Sequence, residues 1–112
     1  MTAIKQPDNP VVFIKNCIIN KQIFWTYHVN MRMKNRFISR EMIQLSVDNF
    51  EVIESYPEDK YLPSYLIYSR HNEIIFHILI AVDYISENIR IITAYYPDPS
   101  KWDSEFKRRK NI

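Results

Sequence analysis

Up to Asn49 the apolar residues of this chain recur at helical spacing, and from Phe50 onward they recur at every second position. A single switch of period from 3.6 to 2 segregates helices from strands, which is the pattern of an α+β domain and not of alternating βαβ units. Four strands follow the switch, over Phe50–Tyr56, Tyr65–Arg70, Ile74–Asp83 and Ile89–Tyr96, each bounded by Pro, Asn or Asp. The connections His71-Asn72 and Ser86-Glu87-Asn88 are short enough for hairpins, so the strands should form an antiparallel meander. The third and fourth strands are apolar on both faces except for a few residues, as suits central strands covered by helices.

Before the switch, Asn9 caps and Pro10 opens a segment through Val11–Ile19 that reads as a helix, although its β-branched content keeps a strand open there. Ile23–Trp25 is a short apolar stretch. Thr26 caps the helix that holds His28, and Ser39 caps another that has Glu41 in its first turn and runs to about Asp48. The expected architecture is α+β: N-terminal helices packed on a four-stranded, mainly antiparallel sheet, with a short C-terminal helix. A flexible tail is expected over residues 1–9, one domain over 10–106 and a basic tail over 107–112. Lys107 to Lys110 read as a solvated helix end, so deletion from Phe106 onward should leave folding intact.

The chain has no glycine, which excludes Gly-rich phosphate loops and forces other residues into the tight turns. Asn20, Asn72 and Asn88 are the candidates, because Asn tolerates the left-handed conformation better than other side chains. The lone Cys17 excludes an internal disulfide framework, and no Cys/His cluster has the spacing of a zinc site, so neither a metal nor another cofactor is expected. Nothing in Met1–Asn9 resembles a signal peptide, and no run approaches the roughly 20 apolar residues that span a bilayer. A cytoplasmic protein without a membrane partner is expected.

Candidate chemistry gathers on the His28 helix. His28, Arg32 and Arg36 recur every four residues, each step turning the helix only about 40° beyond a full revolution, so they form one polar stripe. An imidazole can move a proton near neutrality, while a guanidinium cannot be deprotonated and offers a planar fork of donors to phosphate oxygens. Val29 and Met33 flank the stripe on one side, and Tyr27 and Met31 on the other, which suggests packing on both flanks. The plainer alternative is that any basic helix on a small protein shows such a stripe as a solvated face. Net charge is only +2, so the positive excess is local: four of the fifteen Lys and Arg residues lie between Arg32 and Arg40, and Lys107–Lys110 form a second patch. A partner carrying phosphates would meet patches. Against the apolar third and fourth strands, His77, Thr93 and Tyr95 stand out. A polar residue on a buried strand is more often a satisfied core residue than a catalyst, and for His77 both readings stay open. Strict alternation puts His77 with Ile75, Leu79 and Ala81, and puts Thr93 and Tyr95 with Ile91.

Several segments carry a resemblance: His28-x-x-x-Arg32-Met33-x-x-Arg36-x-Ile38-Ser39; Val52-Ile53-Glu54-x-Tyr56-Pro57-x-Asp59; Pro63-Ser64-Tyr65-Leu66; His77 through Asp83; and Ile91-Ile92-Thr93-Ala94-Tyr95-x-Pro97-Asp98-x-x-Lys101-Trp102. In this order they resemble the domain-of-unknown-function family numbered 4258, over roughly Ile14 to Trp102. The family usually has glycine where Phe37 stands here. The resemblance implies a small α+β domain similar to the RelE-like and barnase-like ribonuclease toxins, often encoded beside a small antitoxin.

Residues and resemblance converge on a metal-independent ribonuclease acting as a toxin. Attack by the 2′-hydroxyl needs a base for its proton, a cation for the developing phosphorane charge and an acid for the leaving 5′-oxygen. His28 would be base or acid, Arg32 would hold the phosphate, and His77 or Tyr95 would be the second proton carrier or a positioning group. Arg36, Lys101, Arg108 and Arg109 are the remaining candidates for binding RNA, and a cognate antitoxin is the expected protein partner. Two rival readings are a non-catalytic interaction module, using Tyr56, Tyr61, Tyr65, Tyr95 and Tyr96, and a plain RNA-binding domain that holds single strands by stacking and charge.

Overall fold

Each helix begins where the sequence supplies a cap. In α1 (Pro10–Ile19) the Asn9 side chain accepts from the Val12 N–H at 3.3 Å, and in α2 (Tyr27–Asn35) Thr26 Oγ1 accepts from the Val29 N–H at 3.0 Å. In α3 (Arg40–Leu45) Ser39 Oγ accepts from the Met42 N–H at 3.0 Å. A 3-10 turn over Val47–Asn49 then replaces the last turn expected of this helix. The computed structural model describes residues 6–110. Residues 1–5 of the expected N-terminal tail lie outside the described residues, whereas Pro7 is buried.

Among the described residues the sheet has five strands and not four: β1 (Ile23–Trp25), β2 (Glu51–Tyr56), β3 (Ser64–His71), β4 (Ile74–Asp83) and β5 (Asn88–Tyr95), in the order β1-β5-β4-β3-β2. The last four form the expected antiparallel meander, and β1 joins it parallel to β5 through Ile23↔Ile89 and Trp25↔Ile91, so the sheet is mixed. Three residues are too few to show a period, which is why β1 is invisible to alternation. Among the described residues no strand lies beside the outer edge of β5 beyond Ile91, and α2 packs along it.

The chain makes its turns without glycine by placing Lys21, Phe37, Asn72, Glu87 and Phe106 at φ between 55° and 60°. Asn72 fills its expected role in the β3–β4 hairpin. Lys21 and Glu87 take the positions expected of Asn20 and Asn88, each one residue away. Phe37 stands where glycine suits the backbone best: its φ is 58° and its side chain is 86 % exposed. Left-handed backbone costs a residue with a Cβ about 1–2 kcal/mol, partly offset by the extra freedom glycine gives the unfolded chain. Phe37→Gly is therefore expected to stabilise the fold by about 0.5–1 kcal/mol, seen as a raised melting temperature, because little burial is lost. A lowered melt would show that the exposed ring holds something in place.

One face of the sheet is the core. Phe76, Ile78, Ile80 and Val82 of β4 pack with Ile89, Ile91 and Ala94 of β5 and Ile67 of β3 under Ile14, Ile18, Val29, Met33 and Ile43 from the helices. The α2 helix is buried on one flank only: Val29 and Met33 are inside, while Tyr27 and Met31 are exposed. Among the described residues no helix is long and apolar enough to cross a membrane.

Two bulges decide what the other face carries. Val52 pairs with Ile67 and Glu54 with Leu66, so Ile53 is an extra residue in β2; Leu79 pairs with Thr93 and Ile80 with Ile91, so Ile92 is an extra residue in β5. Residues directly opposite on neighbouring strands share a face. Three rows therefore cross the sheet: Glu51–Tyr68–His77–Tyr95, Glu54–Leu66–Leu79–Thr93 and Tyr56–Ser64–Ala81–Arg90. Thr93 and Tyr95 thus share a face with His77 and not with Ile91, which lies in the core.

The short C-terminal helix expected from the sequence is not formed. Residues 98–109 run as turns closed by an isolated bridge between Trp102 and Arg109, and they lie across the first row.

Candidate active site

The first row is roofed. Trp102 is buried with its ring 4.5 Å from that of His77, edge to face, and Lys107 Nζ lies 2.8 Å from Glu51 Oε2 and 4.8 Å from the centre of the Tyr68 ring. His77 is completely buried, and both its ring nitrogens are engaged. A carbonyl only accepts, so Nε2–H donates to Phe106 O at 2.7 Å, and Nδ1 accepts from the Tyr95 hydroxyl at 3.3 Å. Burial holds this imidazole below its ordinary proton affinity, so the neutral ring is favoured. Residues 106–109 are therefore not a solvated end: Phe106 supplies the acceptor for His77, and Lys107 and Arg109 are pinned to β2. Deletion from Phe106 onward would expose His77 and strip an acceptor from it.

The second row is open. A groove of about 400 Å³ lies over Leu66 and Leu79, between Thr93 and Tyr95 on one side and Tyr56, Asp59 and Arg109 on the other. Arg109 donates from Nε and Nη2 to the two oxygens of Glu54, at 2.7 and 3.1 Å, and its guanidinium lies 4.7 Å from the centre of the Trp102 ring. Tyr56 donates to the same carboxylate. The Arg109 hydrogen bond holds Glu54 below the usual carboxylate range, so Glu54 is an ionised acceptor and a weak base. Burial pushes the Tyr95 hydroxyl up, which keeps it protonated and available as a donor or acceptor at neutral pH.

The helix stripe meets this groove through Arg36. Its Nη1 donates to Ala94 O at 2.8 Å, on the outer edge of β5, and to Thr93 Oγ1 at 3.3 Å, in the second row. A guanidinium has five N–H donors in one plane, so these two bonds leave others for a ligand. His28 and Arg32, two turns and one turn earlier along the same stripe, are exposed, and their side chains make no hydrogen bond among the described residues. A separate link, Arg40 Nε to Asn30 Oδ1 at 3.0 Å, ties the start of α3 to α2.

Of the residues singled out by sequence, Tyr95 and Arg109 line the groove, Arg36 reaches its edge through the bond to Thr93, His77 lies behind Tyr95, and His28 and Arg32 are on the same helix as Arg36 without a contact to the groove among the described residues. Lys101 and Arg108 are exposed in the C-terminal turns, where their backbones hold the turn through Lys110 N–H to Lys101 O and Asp103 N–H to Arg108 O. Tyr65, proposed for an exposed surface, is buried. Glu54, which holds Arg109, and Asp59, which lines the groove, are not apparent from the sequence, because the bulge at Ile53 and the packing of the C-terminal turns place them. Among the described residues no three His, Cys, Asp or Glu side chains are grouped so as to hold a metal ion.

No curated protein and no solved structure matches the chain. The family described as Domain of unknown function (DUF4258) matches residues 25–96, more than half of the sequence and the stretch that contains α2, the strands β2 to β5 and every lining residue of the groove except Arg109, and the chain belongs to that family.

Proposed function

We propose that this protein is a metal-independent endoribonuclease, the toxin of a toxin–antitoxin pair, which cleaves RNA in the groove between α2 and the C-terminal turns. The observation that carries the reading is the pair of hydrogen bonds from Arg36 to Thr93 and Ala94, which bring a helix bearing an imidazole and two guanidiniums to the edge of an open, tyrosine-lined groove. In the step itself the 2′-oxygen of the substrate attacks phosphorus and loses its proton to a base. The P–O5′ bond breaks, and the 5′-oxygen takes a proton from an acid, leaving a 2′,3′-cyclic phosphate. His28, exposed on the stripe, is the residue type suited to one of these transfers. Arg32 and the free donors of Arg36 neutralise the charge that builds on the phosphorane oxygens. Tyr95 lies in the groove with its hydroxyl on His77 Nδ1 at 3.3 Å; exchanging that bond for one to the substrate presents its proton to the leaving 5′-oxygen, which makes Tyr95 the candidate acid, His28 the candidate base and His77 a positioning residue. A guanidinium-rich surface of this kind also suits an acidic inhibitor protein, whose binding would weaken as salt rises.

The test is incubation of the purified protein with mixed RNA, with and without chelator. Cleavage that survives chelation, leaves cyclic phosphate ends and stops when a 2′-deoxy sugar stands at the cut is the expected result. RNA that is retained uncut, or cut only when divalent metal is supplied, overturns the proposal.

A further inference from the structure

We infer that the second hollow on this face is a nucleobase pocket, which seats the base next to the scissile phosphate and favours guanine; the inference rests on the ribonuclease reading above and names its specificity. The third row of the sheet ends in a recess of about 490 Å³ floored by Ala81, which is 7 % exposed, with Tyr61 and Leu62 of the β2–β3 loop on one side and Ile92 on the other. A volume of this size suits a small organic ligand. The small side chain of Ala81 leaves room for a flat ring where the row above it, in the groove, carries Leu79. Tyr61 is 78 % exposed; Lys60 Nζ lies 5.3 Å from the centre of its ring, and the opposite face is of the kind on which bases stack. Lys60 and Arg90 also line the recess, so the backbone phosphates flanking a seated base would meet cations.

Two features tie the recess to the groove and to one base. Asp59 lines both hollows, and its position is set by the loop and the start of β3: Ser64 Oγ donates to Oδ2 at 2.6 Å and the Lys60 N–H to Oδ1 at 3.2 Å. A carboxylate only accepts, and the lone pairs left on its two oxygens match two donors side by side. Guanine presents such a pair on one edge, the ring N1–H and the exocyclic amine. Adenine and cytosine set a ring acceptor beside their amine, and uracil sets its N–H between two carbonyls, so each brings an acceptor against the carboxylate.

The test uses tetranucleotides built entirely of 2′-deoxy sugars, which cannot be cleaved by 2′-oxygen attack, differing only in one base, with binding followed by fluorescence anisotropy. The unaltered protein is expected to bind the guanine form about tenfold more tightly than the other three, on the scale of one base-specific contact. Asp59→Asn, at a surface position, should bring the four within about twofold, and Tyr61→Ala should weaken all four by about tenfold as stacking is lost. Equal binding of the four bases by the unaltered protein overturns the pocket, and cleavage of RNA by the same preparation then leaves the ribonuclease reading standing. Guanine preference that survives Asp59→Asn in a folded variant also overturns it. Guanine preference lost with Asp59→Asn, in a protein that cuts no RNA, upholds the pocket and overturns the ribonuclease.

Discussion

Arg32→Ala is expected to slow RNA cleavage by about a hundredfold or more while leaving the melting temperature where it was, since one charge-assisted contact to a developing oxyanion typically supplies a factor of 10² to 10³. Both Arg32 and His28 are exposed and make no side-chain hydrogen bond among the described residues, so neither removal withdraws anything from the fold. His28→Ala should cost a comparable factor through loss of proton transfer, and it should flatten one limb of the pH–rate profile, which Arg32→Ala should leave in place. Arg32→Lys should recover only part of the rate, because an ammonium keeps the charge without the planar fork. Arg36→Ala is the informative contrast. Its guanidinium is half-buried and satisfies the carbonyl of Ala94 at 2.8 Å, so its loss should lower both turnover and the melting temperature, the latter by the equivalent of about 1–3 kcal/mol. If Arg32→Ala and His28→Ala are folded and cut RNA at the parental rate, the stripe is a solvated face and the catalytic reading of α2 fails.

The parts of this molecule that could be read from its sequence are those governed by neighbours along the chain. Asn9, Thr26 and Ser39 announce three helix starts because a capping side chain bonds to a backbone N–H three residues on. The four long strands are legible by alternation, with ends displaced by no more than one residue. What depends on pairing between strands was hidden. The bulges at Ile53 and Ile92 shift the alternation by one, and only the register reveals that they set Glu54 beside Leu66 and Thr93 beside Leu79 on one open face. β1 is stabilised by the outer edge of β5, which no local pattern can disclose. The C-terminal turns read as a charged, dispensable end, because Lys107 and Arg109 show their partners, Glu51 and Glu54, only once β2 lies beneath them. The candidate site divides in the same way: the helix stripe follows from spacing, whereas the groove that Arg36 reaches through Thr93 is a product of register.

His77 is where fold and site meet, and its replacement should be felt first as stability. His77→Leu removes the donor to Phe106 O and the acceptor for the Tyr95 hydroxyl, and leaving such groups unpaired should cost about 2–4 kcal/mol in all. His77→Gln can remake one or both bonds at similar size but not the edge-to-face contact with Trp102, so a loss of about 1–3 kcal/mol is expected, with cleavage per folded molecule largely retained. A pH signature accompanies the structural role. Burial lowers the proton affinity of folded His77 from the ordinary value of 6.5, so between that value and the depressed one the unfolded chain binds more protons than the folded chain. Stability from this group is therefore complete above pH 6.5 and is lost as pH falls through that value, with a slope approaching about 1.4 kcal/mol per pH unit. Glu54, Asp98 and Asp103, held below ordinary carboxylate values of 4.5 and 3.8, give up their contributions only at lower pH, so the two windows separate. Chemical unfolding of the parent and of His77→Gln at pH 7.5 and 5.5, with turnover measured on the same preparations, decides the role. A slope present in the parent and absent in the variant, with normal cleavage per folded molecule, shows that the imidazole of His77 moves no proton and serves the fold; an unchanged melt with cleavage abolished makes its imidazole a proton carrier.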